Sequence, residues 1–289
     1  MIHGRVWLSY FRFRNPEVTL KVIERQITYG PFLERLRSAP ARILLLDYDG
    51  TLAPFCVDRS VAVPYPEVPP LIVRIMNQGT RVVLISGRTV RELLMLSGIS
   101  PQPEIWGSHG LERLMADGSY EVSSVPAHKD YLVAAAAILR DAGLEDRTEI
   151  KPGGVAVHWR GLTPAKAERL AREVPQLWKP LLDRAPLRLL EFDGGLEIRV
   201  AGRGKGDAVR AILKESGPGA AVAYLGDDQT DEDAFQALKG NGLTVLVRPQ
   251  SRPTAADIWL QPPRELLQFL EEWIRASGGK DERNQRTSD

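Results

Sequence analysis

Hydrophobic positions along this chain fall into two alternating patterns, and together they predict an α/β protein. Short apolar runs, Ile43-Leu44-Leu45-Leu46, Val82-Val83-Leu84-Ile85, Ala221-Val222-Ala223-Tyr224-Leu225 and 243–247, carry no polar alternation. Such runs suit strands covered on both faces of a parallel sheet. A shorter strand is predicted over 104–106. Between these runs apolar residues recur at helical spacing: Leu71, Ile72, Ile75 and Met76 share one face after the proline-rich stretch 63–70, and 90–96, 207–214 and 264–274 read as further helices. Residues 18–36 are also predicted as a helix, with Ile23, Ile27, Phe32 and Leu36 following that spacing loosely around Pro31.

Between 117 and 201 the pattern changes. Helices are predicted at 129–141 and 163–179, the second with Thr163 as N-cap and Pro164 at the first helical position. A hairpin turning at Pro152-Gly153-Gly154 and a later strand pair accompany them. These strands alternate: Val155, Val157 and Trp159 oppose His158 and Arg160, and Leu196, Ile198 and Val200 oppose Glu197 and Arg199. The prediction is a small α+β module, 117–201, inserted into an α/β core made of 41–116 and 202–276. An N-terminal segment, 1–40, precedes the core, and a polar tail, 277–289, is expected to be disordered. The polar strand faces admit two readings. Lining a cleft over the core, Lys151, His158, Arg160, Glu197 and Arg199 would read sugar hydroxyls or an anion; facing water, they are the wet side of a half-exposed sheet, which periodicity alone favours.

Composition narrows the function classes. The 289 residues carry 38 basic and 37 acidic side chains, a formal net charge of +1, so no nucleic-acid partner is expected and any anion must be bound locally. One cysteine, Cys56, excludes an internal disulfide framework and reads as a packing residue. No apolar run approaches the length of a membrane span, so neither a membrane partner nor a location outside the cytoplasm is expected.

The candidate chemistry stands at strand ends, where ligands bind in open α/β sheets. Asp47 and Asp49 lie two residues apart just beyond the 43–46 run, and two carboxylates so held repel unless a cation or proton lies between them. A hard cation with oxygen ligands, Mg²⁺ above all, would relieve them; an ordinary polar turn is the alternative. Ser86-Gly87-Arg88 follows the second run, where Ser86 either grips a phosphate oxygen at the start of the next helix or merely caps that helix. His109 is flanked by Gly107 and Gly110. Lys205 lies among Gly202, Gly204 and Gly206, where its ammonium could reach a phosphate or an aspartate. These glycines do not make a dinucleotide fingerprint, since the third falls one position early, and they do not make a Walker A loop. After the 221–225 run, Asp227, Asp228, Asp231, Glu232 and Asp233 place five acids within seven residues, without the spacing of an EF-hand.

In this order, Asp47-Tyr48-Asp49-Gly50-Thr51, Ser86-Gly87-Arg88, Lys205 and Gly226-Asp227-Asp228-Gln229-Thr230-Asp231 resemble the four motifs of the haloacid dehalogenase superfamily of phosphatases. Gly107-Ser108-His109-Gly110, Lys151 with His158-Trp159-Arg160, and Leu196-Glu197-Ile198-Arg199 are similar to the trehalose-6-phosphate phosphatase family, over roughly 32–274. Val200 departs from that family, which usually has proline there.

The resemblance implies a haloacid dehalogenase-like Rossmannoid core with a C2-type cap, and release of phosphate from trehalose 6-phosphate as the last step of trehalose biosynthesis. It implies Asp47 as nucleophile and Asp49 as general acid and base, with Lys205 also in the catalytic set. Thr51, Ser86 and Lys205 would hold phosphoryl oxygens. Mg²⁺ would be held by Asp47, the Asp49 backbone carbonyl and Asp227, with Asp231 supporting it from behind. Arg88, His109, Lys151, Arg160 and Glu197 would read the sugar. The expected partner is a small sugar phosphate, and the expected state a monomer. A phosphatase for sucrose phosphate or mannosyl phosphoglycerate, a non-catalytic sugar-phosphate-binding module, and a nucleotide-dependent oxidoreductase are the alternatives, the last opposed by the glycine spacing.

Overall fold

The computed structural model describes residues 21–22, 28–56, 58–123, 129–192, 194–201 and 204–278. The strands are β1 (Lys21–Val22), β2 (Arg42–Leu46), β3 (Thr80–Ile85), β4 (Glu104–Gly107), β5 (Glu112–Leu114), β6 (Tyr120–Val122), β7 (Thr148–Lys151), β8 (Gly154–His158), β9 (Leu187–Phe192), β10 (Gly195–Val200), β11 (Ala221–Gly226), β12 (Leu243–Val247), β13 (Pro253–Thr254) and β14 (Ile258–Leu260). The helices are α1 (Gly30–Ser38), α2 (Val68–Asn77), α3 (Val90–Leu96), α4 (Lys129–Asp141), α5 (Pro164–Leu182), α6 (Lys205–Ser216), α7 (Glu232–Leu238) and α8 (Arg264–Ser277).

Eight strands form the main sheet in the order β14-β12-β11-β2-β3-β4-β5-β6, parallel except for β5 and β6. The all-apolar runs are explained by burial on both faces. Leu44 and Leu46 of β2 pack with α1, α2 and α8, whereas Ile43 and Leu45 pack with α6 and α7. Because β3 continues from β2 to one side and β11 lies on the other, the carboxyl ends of β2 and β11 meet at the point where the winding reverses, which opens a crevice. The Asp47 N–H donates to the Leu225 carbonyl at 2.9 Å and locks the two strand ends together.

The second sheet, β7-β8-β10-β9, is antiparallel throughout. Its apolar face, Val155, Val157, Leu196, Ile198 and Val200, packs on Ala135 and Leu139 of α4 and on Val174 and Trp178 of α5. The Trp178 indole N–H donates to the Ala135 carbonyl at 3.1 Å, which satisfies the polar atom this side chain carries into the core.

Three expectations need correction. The 18–36 helix starts only at Gly30, with Pro31 in its first turn, while Lys21 and Val22 pair antiparallel with Thr254 and Pro253; proline suits a helix start and not an interior. The remaining 18–20 and 23–27 lie outside the described residues, as do Gly202 and the tail from 279. The core sheet also runs on through β6, inside the stretch assigned to the inserted module; this edge strand is exposed at all three positions and is too short for the alternation of Tyr120 and Val122 with Glu121 to mark it. Finally, the polar face of β10 is not wet, since Glu197 and Arg199 are buried.

Candidate active site

Four strand ends build the floor of a cleft whose roof is the smaller sheet. Asp47 follows β2, and its Oδ1 accepts from Lys205 Nζ at 2.6 Å. The same ammonium donates to Asp231 Oδ1 at 2.7 Å, so one buried cation bridges two buried carboxylates. Asp231 is held from every side: Oδ1 also accepts from the Tyr224 hydroxyl at 2.5 Å, and Oδ2 accepts from the N–H groups of Asp227 and Asp228 at 3.1 and 3.0 Å. Asp227 is less well held: its Oδ2 is buried without a hydrogen-bond partner, with Arg248 Nη1 3.9 Å away.

Electrostatics follow from this crowding. Burial pushes the Asp47 carboxyl up to about 7 against the pull of Lys205, with Asp231 adding to the rise. Asp227 is raised well above its ordinary range, by burial first and then by Asp47 and Asp231. Burial works against the charge on Lys205, but Asp231 and Asp47 outweigh it and raise its pKa. Ligand oxygens of Asp47, Asp227 and Asp231 lie within 4.8 Å of one another. Three buried carboxylates, one ammonium and a carboxylate oxygen that accepts no hydrogen bond fit a hard divalent cation with oxygen ligands.

Gly50 permits this geometry. Its φ is +82°, and a Cβ there would stand 2.3 Å from Asp227 Oδ2, so a side chain would be both strained and driven into the acidic cluster. Gly87 is comparable in contact alone, because a Cβ would lie 2.6 Å from His109 Nε2. Ser108 and His109 themselves take the left-handed region, with φ of 49° and 56°, and this strained turn aims the imidazole at the roof.

The remaining floor residues divide. Ser86 lines the cleft and does not cap α3, since Thr89 forms that cap with Glu92. Ser86 Oγ instead accepts from the Arg88 N–H at 3.2 Å. Thr51, expected at a phosphoryl oxygen, is instead fully buried beneath Asp47 and does not line the cleft, with its Oγ1 3.4 Å from Asp47 Oδ2. Arg88 is 1% exposed and does not line the cleft. Its guanidinium forks onto Asp49, Nε to Oδ2 at 2.7 Å and a terminal nitrogen to Oδ1 at 2.6 Å, and also donates to the Arg59 carbonyl at 2.8 Å. The expectation that Arg88 reads sugar is therefore replaced: a guanidinium with these donors engaged orients Asp49 instead.

From the roof come Lys151, His158, Arg160, Phe192 and Glu197. Glu197 Oε2 lies 3.1 Å from His109 Nε2, joining roof to floor. Burial lowers His109 to about 4, so the imidazole is neutral at pH 7 and donates its Nε2 proton to Glu197. Burial disfavours the Glu197 charge, but Lys151, His109 and Arg199 outweigh it and lower its pKa. Arg160 donates to the Cys56 carbonyl at 3.0 Å and stacks over Phe55, 5.1 Å from the ring centre.

Three lining residues, Phe55, Arg59 and Phe192 of β9, escaped the sequence reading. Phe55 and Arg59 follow the Asp47 turn, Arg59 opening a short 3-10 turn, and they meet the smaller sheet, where Arg59 pairs with Glu149 and lies 3.4 Å from His158 Nε2. Nothing in their spacing marks them; only proximity to the Asp47 turn could have.

A family model described as trehalose-phosphatase matches residues 45–263. The chain is 29% identical to trehalose-phosphate phosphatase B of Arabidopsis thaliana, over 92% of this chain and 76% of that one. Other matched relatives are longer, the chain spanning 61% of one and 18% of another. The C-terminal domain of Candida albicans trehalose-6-phosphate phosphatase superposes with a TM-score of 0.74 at 21% identity, covering 89% of this chain and 99% of that domain. A Bacteroides thetaiotaomicron phosphatase of the haloalkanoate (HAD) superfamily superposes with a TM-score of 0.57 at 18% identity, covering 87% and 99%. The fold is thus the HAD-like α/β core with an α+β cap, and a match across the Asp47 strand, the cap and the acidic loop shows that the chain belongs to the trehalose-phosphatase family.

Proposed function

We propose that this chain hydrolyses trehalose 6-phosphate to trehalose and inorganic phosphate, as a cytoplasmic, Mg²⁺-dependent monomer at the end of trehalose biosynthesis. The observation that carries the reading is the Asp47–Lys205–Asp231 bridge, set beside an Asp227 Oδ2 that accepts no hydrogen bond, beneath a cleft roofed by polar cap residues. The family membership given above supplies the sugar.

In this reading Asp47 Oδ2 or Oδ1 attacks phosphorus in line, the bond from phosphorus to the sugar oxygen breaks, and that oxygen takes a proton from Asp49. Asp49 then accepts a proton from water, whose oxygen displaces Asp47 and leaves inorganic phosphate. Lys205 and Ser86 hold the phosphoryl oxygens from the floor, with Thr51 bracing Asp47 from below. Asp47, Asp227 and the Asp49 carbonyl would hold the Mg²⁺, backed by Asp231, and the ion supplies charge neutralisation at the transferring group. His109, Lys151, Arg160 and Glu197 face the sugar, and the cap keeps bulk water from the phosphorylated Asp47.

Phosphate release from trehalose 6-phosphate, sucrose 6-phosphate, glucose 6-phosphate and mannosyl phosphoglycerate, each with Mg²⁺ and with EDTA, tests this. Metal-dependent release confined to trehalose 6-phosphate is expected; preference for another member would transfer the activity to that sugar, and no release from any would leave a binding module. Glu197→Ala is expected to lower kcat/KM for trehalose 6-phosphate by about 100-fold, the loss of a buried charged hydrogen-bonding group. Hydrolysis of p-nitrophenyl phosphate should change by less than about threefold, because that ester presents no hydroxyls to the cap. Equal losses on both substrates would show that Glu197 serves the floor and not the sugar.

A further inference from the structure

Asp227 Oδ2 accepts no hydrogen bond and has Arg248 Nη1 as a charged neighbour at 3.9 Å, so its aim toward the acidic cluster depends mainly on its backbone. One face of that backbone is already held, since the N–H groups of Asp227 and Asp228 donate to Asp231. The opposite face is held by two arginines from the segment after β12, of which Arg248 donates to the Asp227 carbonyl alone, at 3.3 Å. Arg252 Nε donates to the Asp227 carbonyl at 3.2 Å, and a terminal nitrogen donates to the Asp228 carbonyl at 2.7 Å. Its other terminal nitrogen is fixed by Glu232 Oε1 at 2.5 Å and the Pro253 carbonyl at 2.9 Å. Glu232 is fixed in turn, accepting from the Thr254 hydroxyl and the Ala255 N–H, each at 2.8 Å.

We infer that Arg252 is a positioning residue for the cation site: its planar fork clamps two successive carbonyls and thereby aims the Asp227 carboxylate at Asp47. A lysine could not do this, because one ammonium on a flexible stem lacks the rigid fork that spans both carbonyls and Glu232. The inference rests on the reading of Asp227 as a cation ligand.

Charge and positioning predict opposite signs. A guanidinium near a divalent ion repels it, so removing that charge alone would tighten cation binding. Loss of the clamp frees the Asp227 peptide and weakens binding, by about 10- to 100-fold if Arg252 acts as the outer partners of metal ligands usually do. The test is Mg²⁺ titration calorimetry on the substrate-free full chain and on Arg252→Ala and Arg252→Lys, with thermal denaturation of each in EDTA. Weaker Mg²⁺ binding by a folded Arg252→Ala, or by Arg252→Lys should the alanine variant not fold, is the expected result. Affinity unchanged within about threefold, or increased, would overturn the inference even if Tm falls, because a merely structural arginine lowers Tm alone. Asp227→Asn serves as the reference: if it binds Mg²⁺ as tightly as the native chain, the ligand reading fails, and Arg252 loses its role with it.

Discussion

Asp47→Asn is expected to lower phosphate release by about 10⁴-fold or more while leaving the protein folded and no less stable. The activity loss follows from chemistry: an amide oxygen is not a carboxylate nucleophile, and removal of the attacking group leaves only what binding and oriented charges supply. The stability expectation has its own sign. Asp47 is raised from 3.8 to about 7, burial first, because its charge is unwelcome beside Asp231 even with Lys205 against it. A carboxyl raised in the folded state binds its proton there after the unfolded chain has lost it. Folding stability of the metal-free native protein therefore falls, at this group, as pH rises from about 4 to about 7. Asparagine cannot titrate, so the variant escapes that fall, and its Oδ1 still accepts from Lys205. Thermal denaturation in EDTA at pH 5 and pH 8 should show a smaller decline with pH for the variant, with a Tm at pH 8 equal to or above the native value. Residual Mg²⁺-dependent turnover within tenfold of native would remove Asp47 as nucleophile. A sharply lower Tm with the expected inactivity would show that the inactivity reports misfolding.

What was legible beforehand follows from where burial is uniform. Ile43 to Leu46 and Ala221 to Leu225 read as two-sided strands because helices cover both faces, so every position obeys one rule. Alternation on β10 likewise separated Ile198 from Glu197, but not what the polar face meets, and it meets His109 across the cleft. The acids Asp47, Asp227 and Asp231 could be placed together because each stands just beyond a run of apolar residues that ends at the same sheet edge. Arg88 shows the limit. Its position beside Ser86 was visible, yet the direction of its guanidinium depends on Asp49 and the Arg59 carbonyl, from a loop whose path no periodicity encodes. Arg59, Phe55 and Arg252 share that limit, since long side chains on irregular backbone reach partners that sequence spacing does not foretell. The start of α1 failed for a related reason: loose helical spacing through Ile23 and Ile27 was extended across Pro31, whose restricted φ suits the first turn where it stands.

Lys205→Met should be the most destabilising single change at the site, and its loss should be partly restored by Mg²⁺. The ammonium is 3% exposed and lies 2.6 Å from Asp47 and 2.7 Å from Asp231, with no competing water-facing geometry. Methionine keeps most of the stem and its packing but removes the one cation shared by two buried carboxylates. Breaking a buried pair from one side costs about 3 to 5 kcal/mol where the partners stay charged and desolvated, so the comparison is made at pH 9, above the value of about 7 to which burial pushes Asp47 in the native protein. The two acids do not suffer equally. Asp231 keeps Tyr224 and two backbone N–H groups, whereas Asp47 keeps only the 3.4 Å contact from Thr51. The cost therefore falls mainly on Asp47, and a Tm decrease on the order of 10 °C in EDTA is expected. A divalent cation binding the folded cluster supplies the missing positive charge, so saturating Mg²⁺ should raise Tm more in the variant than in the native protein. Turnover should fall by about 10² to 10³-fold even with Mg²⁺, because the phosphoryl oxygens lose a fixed donor that the ion does not replace. A Tm within about 2 °C of native in EDTA, the shift of roughly one kcal/mol in a chain of this size, would mean that the acids are neutralised by protons and not by Lys205. An equal Mg²⁺ response in both proteins would instead separate the ion from the carboxylates that Lys205 bridges.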